Sequence, residues 1–134
     1  MPVVVQAPAT SANLGPGFDC LGLALELRDH VTFTEAQATS VTVEGEGAAE
    51  VSLGSDHLVV SSFRAAFDER GLTAPEVAVH CRNSIPHGRG LGSSSAAIVT
   101  GLVGARAMGA GLDDAALLAL ATRIEGHPDN VAPA

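Results

Sequence analysis

An α+β fold is expected for this chain on three observations. Its segments follow the order strands, helix, strand, loop, helix, helix, without the regular βαβα alternation of a doubly wound sheet. Its extended segments alternate apolar and polar residues, as strands with one buried face do. Small residues fill the segment from 94 to 108, which suits a helix packed tightly on its neighbours.

Val3-Val4-Val5-Gln6-Ala7 is a β-branched run that Pro8 should end, and it reads as the first strand. Residues 8–19 are dense in small and turn-forming types and read as a loop. Two extended segments are expected next, Leu21 to Arg28 and His30 to Glu35, followed by an alternating strand from Ser40 to Glu44. Residues 45–50 form an acidic connection. A helix is predicted from His57 to about Arg70, capped by Ser55 or Asp56 and stopped by Gly71. Val59, Phe63, Ala66 and Phe67 fall on one stripe of it. Glu76 to Arg82 alternates again and reads as a strand. A loop from Asn83 to Gly92 leads into a helix from Ser94 to Met108. Asp113 is placed to cap a last helix, Asp114 to Ile124, with Leu117, Leu120, Ala121 and Ile124 inward.

Composition narrows what such a fold could do. The 134 residues suit one domain, and 46% hydrophobic against 16% charged residues is a globular balance. With four Phe and no Tyr or Trp, the core is expected to be aliphatic. A formal charge of −8 and few aromatics for base stacking argue against a nucleic-acid binder. All seven cations are arginines, and without lysine neither a Walker A loop nor Schiff-base chemistry is available. Cys20 and Cys81 make no zinc motif or disulfide framework, so buried, reduced thiols and a cytoplasmic setting are expected. No apolar stretch approaches the roughly 18 residues of a membrane span, and the first residues lack the basic region of a signal peptide.

Three segments carry the chemistry. In Ile85-Pro86-His87-Gly88-Arg89-Gly90-Leu91-Gly92-Ser93-Ser94-Ser95-Ala96-Ala97, the glycines let backbone N–H groups approach a ligand, and three serines arrive where a helix begins. Unpaired N–H groups and the positive dipole end favour an anion there. The segment reads either as a phosphate cradle or as a glycine-rich turn with a serine cap. Residues 7–19 offer Asn13 and Asp19 to a polar substrate, or are an ordinary turn. Glu125-Gly126-His127-Pro128-Asp129-Asn130 packs a carboxylate, an imidazole and an Asx pair behind a helix, where a plain capping loop would also fit.

Taken together and in this order, the three segments resemble the GHMP kinase superfamily, and the first is similar to the opening signature of its homoserine kinase branch. The resemblance spans Val3 to Ala134. It implies a GHMP amino-terminal domain with a mixed or antiparallel sheet backed by helices, covering residues 1–134, the carboxy-terminal GHMP domain being absent from this chain. It implies ATP-dependent phosphorylation of the side-chain hydroxyl of L-homoserine in threonine biosynthesis. A non-catalytic ATP-binding fragment and a kinase of another small alcohol stand as alternatives. Pro86, Gly88, Arg89, Gly90, Leu91, Gly92, Ser93, Ser94, Ser95 and Ala96 would surround ATP, with Ser94 and Glu125 on Mg²⁺. Asn13, Asp19 and His127 would face homoserine, and His57 takes a position near the adenine where many members carry asparagine. The partners implied are these two substrates, with no nucleic acid or membrane, and homodimerisation is left open.

Overall fold

The computed structural model describes residues 3–12, 22–45, 57–83 and 93–125. Its elements are β1 (Val3–Ala12), β2 (Gly22–Glu35), β3 (Ser40–Gly45), α1 (Leu58–Glu69), β4 (Val77–Asn83), α2 (Ser93–Ala105) and α3 (Asp114–Glu125). The strands form one sheet in the order β1-β2-β4-β3. β1 and β4 are each antiparallel to β2, and β3 is parallel to β4. The mixed sheet with helices is the expected α+β class.

Period-two alternation explains why one face is covered and the other is not. Val5, Val31, Phe33, Val41, Val79 and Cys81 are buried on the helix side. Between them Thr34, Thr42, Glu44 and Arg82 are exposed on the other side. There His80 is held between two β3 side chains, its Nδ1 2.7 Å from Thr42 Oγ1 and its Nε2 2.9 Å from Glu44 Oε2.

The covered face carries α1 and α2. The expected stripe on α1 is buried in full, Val59, Phe63, Ala66 and Phe67 all facing the core. The core is mostly Val, Leu, Ile and Ala, as expected, and three phenylalanines pack within it. Phe33 stacks on Phe63 at 5.4 Å between ring centroids, and Phe63 meets Phe67 at 5.2 Å. Few aromatics do not mean peripheral ones: the largest side chains bury the most area per ordered residue, so they take the middle.

Several boundaries differ from expectation for non-local reasons. Pro8 does not end β1, which runs on to Ala12 with a register shift between Pro8 and Thr10. β1 lies at the sheet edge, where a missing N–H costs no ladder bond and a bulge absorbs the ring. The two extended segments expected over 21–35 are one strand, paired with β1 from Gly22 to Phe33 and with β4 from His30 to Glu35. His57 is the cap of α1 rather than its first residue, because its Nδ1 accepts from the Val59 N–H at 3.3 Å and its backbone is extended. Gly71 follows the end of α1 at φ 67°, as its position suggested. The helix expected to Met108 ends at Ala105 and gives way to a wide turn, Arg106–Ala110, because Gly109 sits at φ 113°. Asp113 does cap α3, its Oδ1 accepting from Ala116 N–H at 2.7 Å. Leu117, Leu120 and Ala121 are buried on the core side of α3, and Ile124 packs partly buried against the core.

Glu76 ties the approach to β4 to the segment after β2. Its carboxylate accepts from the hydroxyl of Thr39 and, at 2.9 Å, from the Thr39 N–H. The Thr39 hydrogen bonds, with Arg64 3.7 Å away, hold the Glu76 carboxyl below the usual range.

Candidate functional site

Strand direction gathers the site. β1, β3 and β4 all run the same way, since β1 and β4 oppose β2 and β3 parallels β4. The chain therefore leaves Ala12, Gly45 and Asn83 at one end of the sheet, and α1 and α2 follow from that end. Thus Ala12 and Asn83, which anchor the first two chemistry-bearing segments, both point toward that end although they are far apart in sequence. α3 follows α2 after the turn at 106–113, and in its last turn Arg123 lies 2.9 Å from Glu69 at the end of α1.

The sequence-predicted residues are placed unequally. Asn13, Asp19, Pro86, Gly88, Arg89, Gly90, Leu91, Gly92 and His127 lie outside the described residues. Ser93 and Ser94 open α2, their side chains outside the description. Ser95 and Ala96 are wholly buried, so what they could offer a ligand is backbone. Glu125 is the last residue of α3 and half-buried. The turn from Ser93 to Ala96 contains no acidic residue, which leaves the positive end of a 13-residue helix uncompensated by its own sequence.

The Ser95 Oγ is buried without a hydrogen-bond partner, as are the hydroxyls of Ser62 and Thr100. An orphaned buried hydroxyl costs stability. Ser95→Ala is therefore expected to raise stability, by about 1 kcal/mol in urea unfolding, since it removes that cost and favours helix. A loss of similar size would show that the hydroxyl is used.

On the outer face of the same end, His30, Glu44, Gly45, Arg82 and Asn83 line an open groove of about 490 Å³. Among the described residues no cluster of three or more carboxylate, imidazole or thiol groups could hold a metal. A magnesium–nucleotide does not need such a cluster, because Mg²⁺ is held by one or two carboxylates with phosphates and water. A hard oxygen ligand such as Glu125 fits that requirement.

Sequence reasoning missed one charged residue here. Asp29 is only 6% exposed and lies on the helix-covered face, opposite Ala7 of β1. Cys81 on β4 is buried and free, as expected of a reduced thiol, and burial followed by the Asp29 charge pushes its pKa up to about 11. The signal for Asp29 was available: Val31 and Phe33 set the inward phase, and counting back by twos reaches Asp29. Cys20 lies outside the described residues.

Comparison with known proteins adds the following. Residues 57–134 match the GHMP kinases N terminal domain. The homoserine kinase of Streptomyces coelicolor is 56% identical over 135 residues, covering 97% of this chain and 44% of the relative. That of Mycobacterium tuberculosis is 49% identical over 132 residues, covering 94% of this chain and 42% of the relative. The crystal structure of homoserine kinase from Cytophaga hutchinsonii superposes with a TM-score of 0.83 at 28% identity, covering 98% of this chain and 45% of that one. A mevalonate kinase from Methanococcus jannaschii shares the fold, with a TM-score of 0.76 at 13% identity over 98% of this chain and 50% of that one. The chain spans less than half the length of the curated relatives it matches.

Proposed function

The chain belongs to the GHMP kinase family, and from that premise we propose that it is the nucleotide-binding half of an enzyme that phosphorylates the side-chain hydroxyl of L-homoserine with ATP. The observation that carries the reading is the start of α2. A helix of 13 residues begins directly after the glycine-rich segment, with small residues and no carboxylate in its first turn. Identity of about half to homoserine kinases along the whole chain favours homoserine over other small alcohols.

In this mechanism the loop from Gly88 to Gly92 and the first N–H groups of α2 receive the phosphate oxygens. Ser94 and Glu125 would hold Mg²⁺, which supplies charge neutralisation at the transferring phosphoryl group when bound. Asn13, Asp19 and His127 orient the acceptor hydroxyl toward the γ-phosphoryl group. Phosphoryl transfer gains most from such positioning and from electrostatic stabilisation, so no strong base is required. The short coverage of the relatives supports a second reading, in which this chain alone binds ATP and the second half of the kinase completes catalysis.

The test is a melt of the chain with and without Mg·ATP. A ligand specific to the native state adds about 2.7 kcal/mol at a hundredfold excess over Kd. Wild type and Ser95→Ala should both show the ATP-dependent rise. Gly92→Val should fold and show none, because a β-carbon there blocks the close approach of backbone to phosphate. An undiminished rise in folded Gly92→Val means that the phosphates sit elsewhere.

A further inference from the structure

We propose that Asp29 is a positioning residue for nucleotide binding: its buried carboxylate fixes the first turn of α2 at the level where the helix N–H groups meet phosphate. The inference rests on the ATP-binding reading above and names a residue outside its three segments.

The geometry begins with where α2 sits. A Cβ built on Gly104 would lie 2.5 Å from the Phe33 ring, so the helix at Gly104 rests directly on β2 at Phe33. Asp29 precedes Phe33 on the same inward face, about 13 Å along the strand at roughly 3.3 Å per residue. Counting back from Gly104 at about 1.5 Å per residue, α2 covers that distance near its first turn. Counted back in this way, strand and helix both approach the end where β4 stops, so Asp29 and the start of α2 occupy the same level of the core.

The energetics say why a carboxylate would be kept there. Asp29 is 6% exposed and shares this layer with Ala7, at 2%. A carboxylate so placed is costly unless donors compensate it, and Asp29 is not without a partner. Donors at this end include the first N–H groups of α2, which have no partner within the helix, and its dipole has its positive end there. From the inward face of β2, Asp29 would meet that turn from the core side. N–H groups held from below leave the remaining ones pre-set for phosphate, which is the preorganisation that anion binding rewards.

The experiment compares Asp29→Asn with Val31→Ala in the 134-residue chain. Val31 is buried on the same strand and face, two residues on and so about 7 Å further from the level of the first turn of α2 by the same count. Both melting temperature and the Kd for Mg·ATP, by calorimetry, are read at a temperature where each variant is folded. The expected result is a split: both variants melt lower, Kd rises at least tenfold in Asp29→Asn, and it stays within twofold in Val31→Ala. Equal Kd in wild type and Asp29→Asn overturns the inference and leaves the ATP reading standing. No binding by wild type overturns both. If Asp29→Asn does not fold, Asp29→Glu reads the same split, because it keeps the charge but displaces it by a methylene. A lowered melting temperature with unchanged Kd in that variant makes Asp29 purely structural.

Discussion

Gly101→Ala destabilises the domain by about 3 kcal/mol, whereas helix propensity alone predicts a gain of about 1 kcal/mol. A Cβ at Gly101 would stand 2.4 Å from the carbonyl oxygen of Val59, 2.9 Å from Ser62 Cβ and 3.0 Å from the Phe63 N. Two of those atoms are backbone of α1, which cannot swing aside as a side-chain tip can. The helices would have to separate, and the stacked rings of Phe33 and Phe63 lie just behind them. For a domain of this size the loss corresponds to a melting temperature roughly 10 °C lower. An unchanged or higher melting temperature would mean that α1 and α2 do not touch at Gly101.

Glu125→Gln in the kinase carrying both halves lowers phosphoryl transfer by about two orders of magnitude or more while leaving the melting temperature nearly unchanged. The substitution keeps the shape of the side chain and removes the charge that a hard cation prefers among its oxygen ligands. Glu125 is half-buried at the last position of α3, so its charge is not part of the packed core. Steady-state rates at saturating Mg²⁺ check the expectation. A rate near wild type removes Glu125 from the proposed metal site, and a large fall in melting temperature assigns it to the fold instead.

The two predictions differ in how visible their residues were beforehand. Glu125 stood in a short run with an imidazole and an Asx pair, so its chemistry could be read from neighbours in the chain. Gly101 stood in a run of small residues whose partners are forty residues away, and only the packed helices show which atoms it spares. Asp29 is intermediate: its inward phase was written in the alternation with Val31 and Phe33, but its burial depends on what covers the sheet.

By itself the sequence determined the local matters. The α1 stripe, the Asp113 cap, the stop at Gly71 and the alternation of β3 and β4 follow from side-chain spacing and backbone preference over a few residues, and all are present in the structure. It also carried the three chemistry-bearing segments, because loops that bind anions need particular residue types in immediate succession. Tertiary structure decided the rest. Pairing with β2 at the sheet edge carried β1 through Pro8, and pairing on both sides joined residues 22–35 into one strand. The strand order β1-β2-β4-β3, the parallel β3–β4 pair, the Phe33–Phe63 stack and the burial of Asp29 all require contacts between distant residues. Their free energy is gained only when the whole layer closes, so no short window of sequence contains it.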